Sequence, residues 1–185
     1  MIIFCSFIPS INTCQKDSYY MKKLLFICLL SIAAQANLFA QKVPEFNKVP
    51  LKKVKDYKSA DSVVLQTSNY LLTTPIEKGD STRLKSAAFL MKWMDGIPDY
   101  TFTLEDNATR YFVKDLDLMA VYMAALCKAA LQNQPGVDSK TITLTAVKIL
   151  LVYANNNSNN VQWTKDLKEL SAANDKGDLE SFLEP

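Results

Sequence analysis

The sequence predicts an all-α protein, an irregular bundle of about six helices arranged as three consecutive pairs, and three observations carry that prediction. The chain has only four glycines, Gly79, Gly96, Gly136 and Gly177, and each falls where a helical pattern ends. From Leu116 to Leu131 only Asp117 and Lys128 are not apolar, so 14 of 16 residues are, and a helix apolar on every side belongs inside other helices. Elsewhere apolar residues recur at three- and four-residue spacing, and a lone strand would find no partner in the rest of the chain.

At the N-terminus, Met21-Lys22-Lys23 followed by an apolar run from Leu24 to Ala34 has the form of a secretory signal peptide, with small residues at Ala36 and Ala40 for cleavage. Residues 21–40 are read as that signal, removed after Ala40, with Ala34-Gln35-Ala36 as an earlier site. Residues 1–20 precede a segment that works only at an N-terminus and are expected to be an untranslated or non-native extension. The apolar run meets Gln35 and Asn37 too soon for a spanning helix, which needs about 20 apolar residues. Cys28 follows Ile27 inside the run, which does not fit a lipoprotein anchor. The expected product is an exported, soluble protein, periplasmic or extracellular, with no membrane anchor after cleavage.

Removing residues 1–40 takes away Lys16, Lys22, Lys23 and Asp17, leaving 18 basic and 18 acidic residues from 21 and 19. The basic excess belongs to the export signal, so a nucleic-acid partner is not expected. Of four cysteines only Cys127 remains, in the most apolar stretch, where packing is its expected role. The mature length suits one helical domain, 59–185, preceded by an extended basic arm over 41–58. That arm holds Lys42, Lys48, Lys52, Lys53, Lys55 and Lys58 against Glu45 and Asp56, with Pro44 and Pro50 opposing a helix. It is expected either to lie across the bundle's own surface or to dock on a partner.

The first helix is expected from Ser59, with Asp61 in its favourable first turn, to the residues before Pro75, carrying Val63, Val64, Leu65, Leu71 and Leu72. A short connection at 75–79 makes it a hairpin with the second helix, Asp80 to Asp95. There Asp80 is the cap, Leu84, Ala87, Ala88, Met91 and Met94 form the core-facing stripe, and Gly96-Ile97-Pro98 is a left-handed stop. The third helix is expected from Thr103 to Val113, and the fourth, from Asp115 to Gln132, is the centre of the molecule. The fifth runs from Asp138 to Ala154: Thr141 to Thr145 alternates like a strand, but Ile142, Ala146, Ile149, Leu150 and Tyr153 keep helical spacing. The sixth bears Trp163, Leu167 and Leu170 and closes at Gly177, and Asp178 to Leu183 is a last turn docked through Phe182 and Leu183. Three successive pairs resemble tetratricopeptide-like repeats in arrangement alone, because their fixed Trp, Leu-Gly, Tyr, Ala and Pro positions are absent.

The chain contains no histidine. That excludes Ser-His-Asp and Cys-His catalysis, imidazole acid-base steps and the usual zinc sites. No glycine-rich phosphate loop, nucleophile elbow or calcium loop occurs, so no metal, cofactor or catalytic residue is assigned. Carboxylate chemistry remains, with Glu105 and Asp106, Asp95 and Asp99, and Asp115 and Asp117 as candidate pairs. Each acid has a plainer role at a helix start or beside a helix-ending glycine. The positive signal is Trp93 to Phe102, where Trp93 and Tyr100 could form a platform for a sugar ring or peptide and Asp95 and Asp99 could orient it. Core packing is the favoured reading of the same segment, with Trp93 beside Leu90 and Met94 and Phe102 pinning the entry of the third helix. The sequence therefore favours a binding or interaction module with a protein or glycan partner of the cell envelope. A carboxylate-dependent hydrolase acting on an envelope polymer is the second reading, and a purely structural envelope protein the third.

Overall fold

A computed structural model describes residues 43–102 and 106–184. The expected signal peptide at 21–40 and the extension at 1–20 lie outside these residues. Among the described residues every regular element is helical and none is a strand. After a turn of 3-10 helix at Phe46–Lys48 come α1 (Val54–Ser59), α2 (Asp61–Thr73), α3 (Ser81–Gly96), the short α4 (Asp106–Thr109) and α5 (Leu116–Leu131). Then follow α6 (Ser139–Asn155), α7 (Lys165–Lys176) and α8 (Leu179–Leu183). Among the described residues no helix is long and apolar enough to cross a membrane.

The helix starts sit where the acids place them. Asp80 Oδ1 accepts from the Thr82 and Arg83 N–H groups at 2.8 and 3.2 Å. Asp115 Oδ1 accepts from those of Asp117 and Leu118, both at 3.0 Å, and Asp138 Oδ1 from that of Thr141 at 2.7 Å. Each bond satisfies a donor that a helix start leaves without an intrahelical acceptor. Gly177, at φ 82°, closes α7 in the left-handed conformation that a side chain would oppose.

Packing is organised around α5, which meets α2, α3 and α6. Eleven of its residues are buried, five of them alanines, and such small side chains let neighbouring backbones approach closely. One side of α5 supplies Leu118, Val121, Tyr122, Ala125 and Leu126 to a core shared with α6, α7 and α8. The other supplies Ala124 and Cys127 to a second core built from Phe46, Leu51, Val64, Leu71, Leu90 and Trp93. α2 and α3 touch one another, yet each touches α5 more extensively.

Beside that second core lies a buried cation, Arg83, only 1% exposed. Its Nη1 donates to the Thr74 carbonyl at 3.0 Å and to Thr74 Oγ1 at 2.8 Å, at the C-terminal end of α2, where carbonyl dipoles favour positive charge. The Tyr153 hydroxyl donates to the same carbonyl at 2.7 Å, which ties α6 to this junction. The turn after α2 is also fastened to the loop after α6, since the Ile76 N–H donates to the Asn159 carbonyl at 3.0 Å.

Several elements differ from expectation, each for a physical reason. Of the stripe expected to face the core on α3, Ala87 and Met94 do so, but Leu84 is 70% and Met91 54% exposed and Ala88 is exposed too, while Arg83, Ser86, Phe89, Leu90 and Trp93 are buried. Turning this way hides the helix's two aromatic rings, its largest apolar surfaces. Gly96 is the last residue of α3 and is not left-handed. Its missing Cβ serves a close approach instead, because a side chain there would collide with the Tyr57 ring. The expected third helix is cut to Asp106–Thr109, its first residues lying outside those described. The chain from Arg110 to Lys114 turns instead, which buries the adjacent Tyr111 and Phe112 together and brings Asp115 to its cap. Trp163 precedes α7, which starts at the Thr164 cap. The arm is helical from Val54, because Asp56 Oδ2 accepts the N–H groups of Lys53 and Lys52 at 2.9 and 3.2 Å and so caps α1. Phe46 and Leu51 anchor the arm's earlier part in the core.

The contrast between the two ends of α5 is testable. Leu126→Ala is expected to lower the unfolding free energy by about 2–5 kcal/mol, whereas Leu116→Ala, 80% exposed at the helix start, should change it by less than about 0.5 kcal/mol. Urea unfolding followed by circular dichroism checks both, and equal losses would remove α5 from the centre of the fold.

Candidate functional site

Trp93, on the last turn of α3, has no exposed surface. Its indole Nε1 donates to the Tyr57 carbonyl at 3.0 Å, which meets the need of a buried polar ring edge. The rings of Tyr100 and Phe102 lie 6.2 and 6.0 Å from it and 6.4 Å from each other, within the range of attractive tilted contacts. Trp93 is thus enclosed by its own chain and offers no open face to a ligand. Tyr100 is half-buried in the same cluster. Asp99 is held twice, its carboxylate 3.0 Å from Lys58 Nζ and its carbonyl accepting the Gly136 N–H at 3.1 Å. Asp95 stands exposed on the last turn of α3.

The fold adds one member to this group that sequence reading assigned only to a helix start. Asp61, in the first turn of α2, is partly buried near Asp99, Lys58 and the Trp93 indole, with Oδ1 out of solvent. Burial raises its pKa first of all, and the Asp99 charge adds to that, while Lys58 and a hydrogen bond from Trp93 oppose both. The Tyr100 phenol is likewise raised, by burial and then by the charges of Asp61 and Asp99. One carboxyl pushed toward its neutral form beside an ion-paired one is the electrostatic pattern of an acid-base couple. Spacing could not reveal the pair, because Asp61 and Asp99 belong to different elements.

The remaining candidate carboxylates have other tasks or lie elsewhere. Asp115 caps α5 through Oδ1, the side chain of Asp106 is outside the described residues, and so is Glu105. Among the described residues no cluster of three Cys, Asp or Glu side chains is placed to hold a metal ion. Cys127 is fully buried, and burial raises its thiol far above the range in which a thiolate forms. Burial likewise pushes the Tyr122 phenol up to about 12.

Two surface cavities accompany these groups. One, of about 480 Å³, opens where the turn before α5 meets the segment entering α7, and Arg110, Lys114, Asp115, Leu116 and Asp166 are among its lining residues. The other, of about 310 Å³, lies between the Phe46–Leu51 segment and α3, beside the stacked rings of Phe46 and Phe89 at 5.5 Å, with Lys85 and Lys92 in its wall. Neither is lined by Asp61, Asp99 or Tyr100. No protein-family model, no curated protein sequence and no solved structure matches this chain.

Two titrations follow from the buried groups. Asp61 holds its proton more tightly folded than unfolded, so it removes stability as pH rises above the ordinary carboxylate value of 3.8. Asp61→Asn should therefore raise the thermal midpoint at pH 7, with the gap closing below pH 3.8, as calorimetry across pH would show. Tyr122 also favours its protonated form when folded, so its contribution is present below pH 10 and lost between 10 and about 12. Tyr122→Phe should flatten the alkaline fall in stability by up to about 1.4 kcal/mol per pH unit within that window and, because the hydrogen bond to the Thr143 side chain goes with the hydroxyl, should lower stability at pH 7 by no more than about 1 kcal/mol. Denaturant melts at pH 8 and 11 measure both effects.

Proposed function

We propose that this chain is a small exported helical module that acts by binding a protein or glycan partner in the periplasm or cell envelope. The export half of this reading is supported by the lysine-led apolar segment at 21–40. The binding half is supported by one observation above all: the larger cavity sets charged side chains of both signs beside an exposed leucine. A mixed lining of this kind suits recognition of a partner with polar and apolar parts.

The hydrolase reading has a specific observation of its own, the raised Asp61 beside the ion-paired Asp99. Binding is favoured because Lys58 already engages Asp99, Trp93 and Phe102 fill the adjoining space, and the two cavities described lie elsewhere. A polymer chain would need an open groove across both acids.

Expressed from Met21 in full, the protein should be recovered from the periplasm or medium with residues up to about Ala40 removed, as N-terminal sequencing would show. A retained Met21 would overturn export. The mature chain should also be held saturably by purified envelope polymer or by proteins of its periplasmic extract, with no release of soluble fragments. Fragment release that disappears in Asp61→Asn with Asp99→Asn would replace binding by hydrolysis, and retention by neither material would overturn binding.

A further inference from the structure

The 480 Å³ cavity has the size of sites that enclose small ligands, which run from about 300 to 1,000 Å³. Its charged lining is balanced: Arg110 and Lys114 on one hand, Asp115 and Asp166 on the other. Neither cation enters an ion pair among the described residues. Arg110 is nevertheless held in place. Its Nη2 donates to the Tyr111 hydroxyl at 2.6 Å and its guanidinium lies 4.8 Å from the centre of that ring, an arrangement that fixes a cation without neutralising it. Tyr111 is itself fixed from another side by the ring of Phe182, stacked at 5.7 Å. Leu116, 80% exposed, adds a large apolar side chain that the fold does not use.

The balance of charge narrows the ligand class. An inorganic anion such as phosphate would meet two carboxylates in the same cavity, and a metal cation would meet two positive charges. The helix starts are not free anion sites either, since Asp115 and the Thr164 hydroxyl already accept the first N–H groups of α5 and α7. A ligand carrying one charge of each sign and an apolar group satisfies every part of the lining at once. We propose that this cavity binds a free amino acid or short peptide with an apolar side chain. Its carboxylate is received by Arg110 and Lys114, its ammonium by Asp115 and Asp166, and its side chain by Leu116 and the Tyr111 ring. This assignment rests on the binding reading above and names the ligand class for it.

The test is a nuclear magnetic resonance titration of the labelled mature chain with four probes: leucyl-leucine, N-acetyl-leucine, leucinamide and inorganic phosphate. Leucyl-leucine should give saturable shifts at residues 110–118 and 162–166. N-acetyl-leucine, which lacks the ammonium, and leucinamide, which lacks the carboxylate, should each bind about tenfold more weakly, as expected for the loss of one charged hydrogen-bonded contact. Arg110→Gln and Lys114→Gln, both at exposed positions that should leave folding intact, should weaken leucyl-leucine by a similar factor and leave leucinamide unchanged. No saturable shift with leucyl-leucine, equal binding of phosphate, or affinity unchanged in both variants would overturn the assignment. If envelope retention persists while leucyl-leucine fails to bind, this ligand class falls and the binding reading stands. Loss of retention with leucyl-leucine binding intact would have the opposite meaning.

Discussion

Everything else in the molecule depends on enclosing α5. A helix with so little polar surface is unfavourable in water at every position along its length, and covering it removes several hundred square ångströms of apolar surface at about 25 cal/mol per Å². Its neighbours are recruited for that purpose. α6 covers one side, α2 and α3 cover the other, and the alanines between them set how near those helices come. Both cores draw on this helix, so a cavity opened within it would be felt on both sides.

What the sequence disclosed was whatever leaves a local mark. Asp80, Asp115 and Asp138 announced their helices because a capping acid acts within three residues of itself, and Gly177 ended one because a left-handed residue acts at its own position. The apolar stretch from Leu116 announced its burial by composition alone. Features decided between distant segments were hidden. The inward face of α3 was read from the spacing of Leu84, Ala87, Ala88, Met91 and Met94, which gives Arg83 and Ser86 no place in it. Only the end of α2 shows why a guanidinium belongs inside. Gly96 does end α3, but it serves the close approach of Tyr57, 39 residues earlier, and is not a left-handed residue. α1 was missed because its cap is a lone acid among lysines, which reads as a charged tail and not as a helix start.

The same division separates the parts of the candidate sites. The aromatic segment from Trp93 to Phe102 was visible as a cluster, and the fold turns that cluster inward as a clasp between α3 and the loop that follows. Asp61 carried no sign of its nearness to Asp99, because its place in a helix's first turn already explained it. The larger cavity is assembled from a turn, a helix start and a linker. None of these is periodic, and the one clue was an apolar residue at a helix start, Leu116, followed by an acid and preceded by one.

The buried guanidinium of Arg83 bears on how the helices find their pairing. Apolar surfaces are tolerant partners, and two helices that meet through leucines and alanines could slide by a turn at modest loss. A cation whose acceptors sit at one place, the carbonyl and hydroxyl of Thr74, removes that tolerance. In any shifted docking the charge would be enclosed without acceptors, at a penalty of several kcal/mol. The residue least suited to a hydrophobic interior is therefore the one that makes a single alignment of α2 and α3 distinguishable from its near neighbours.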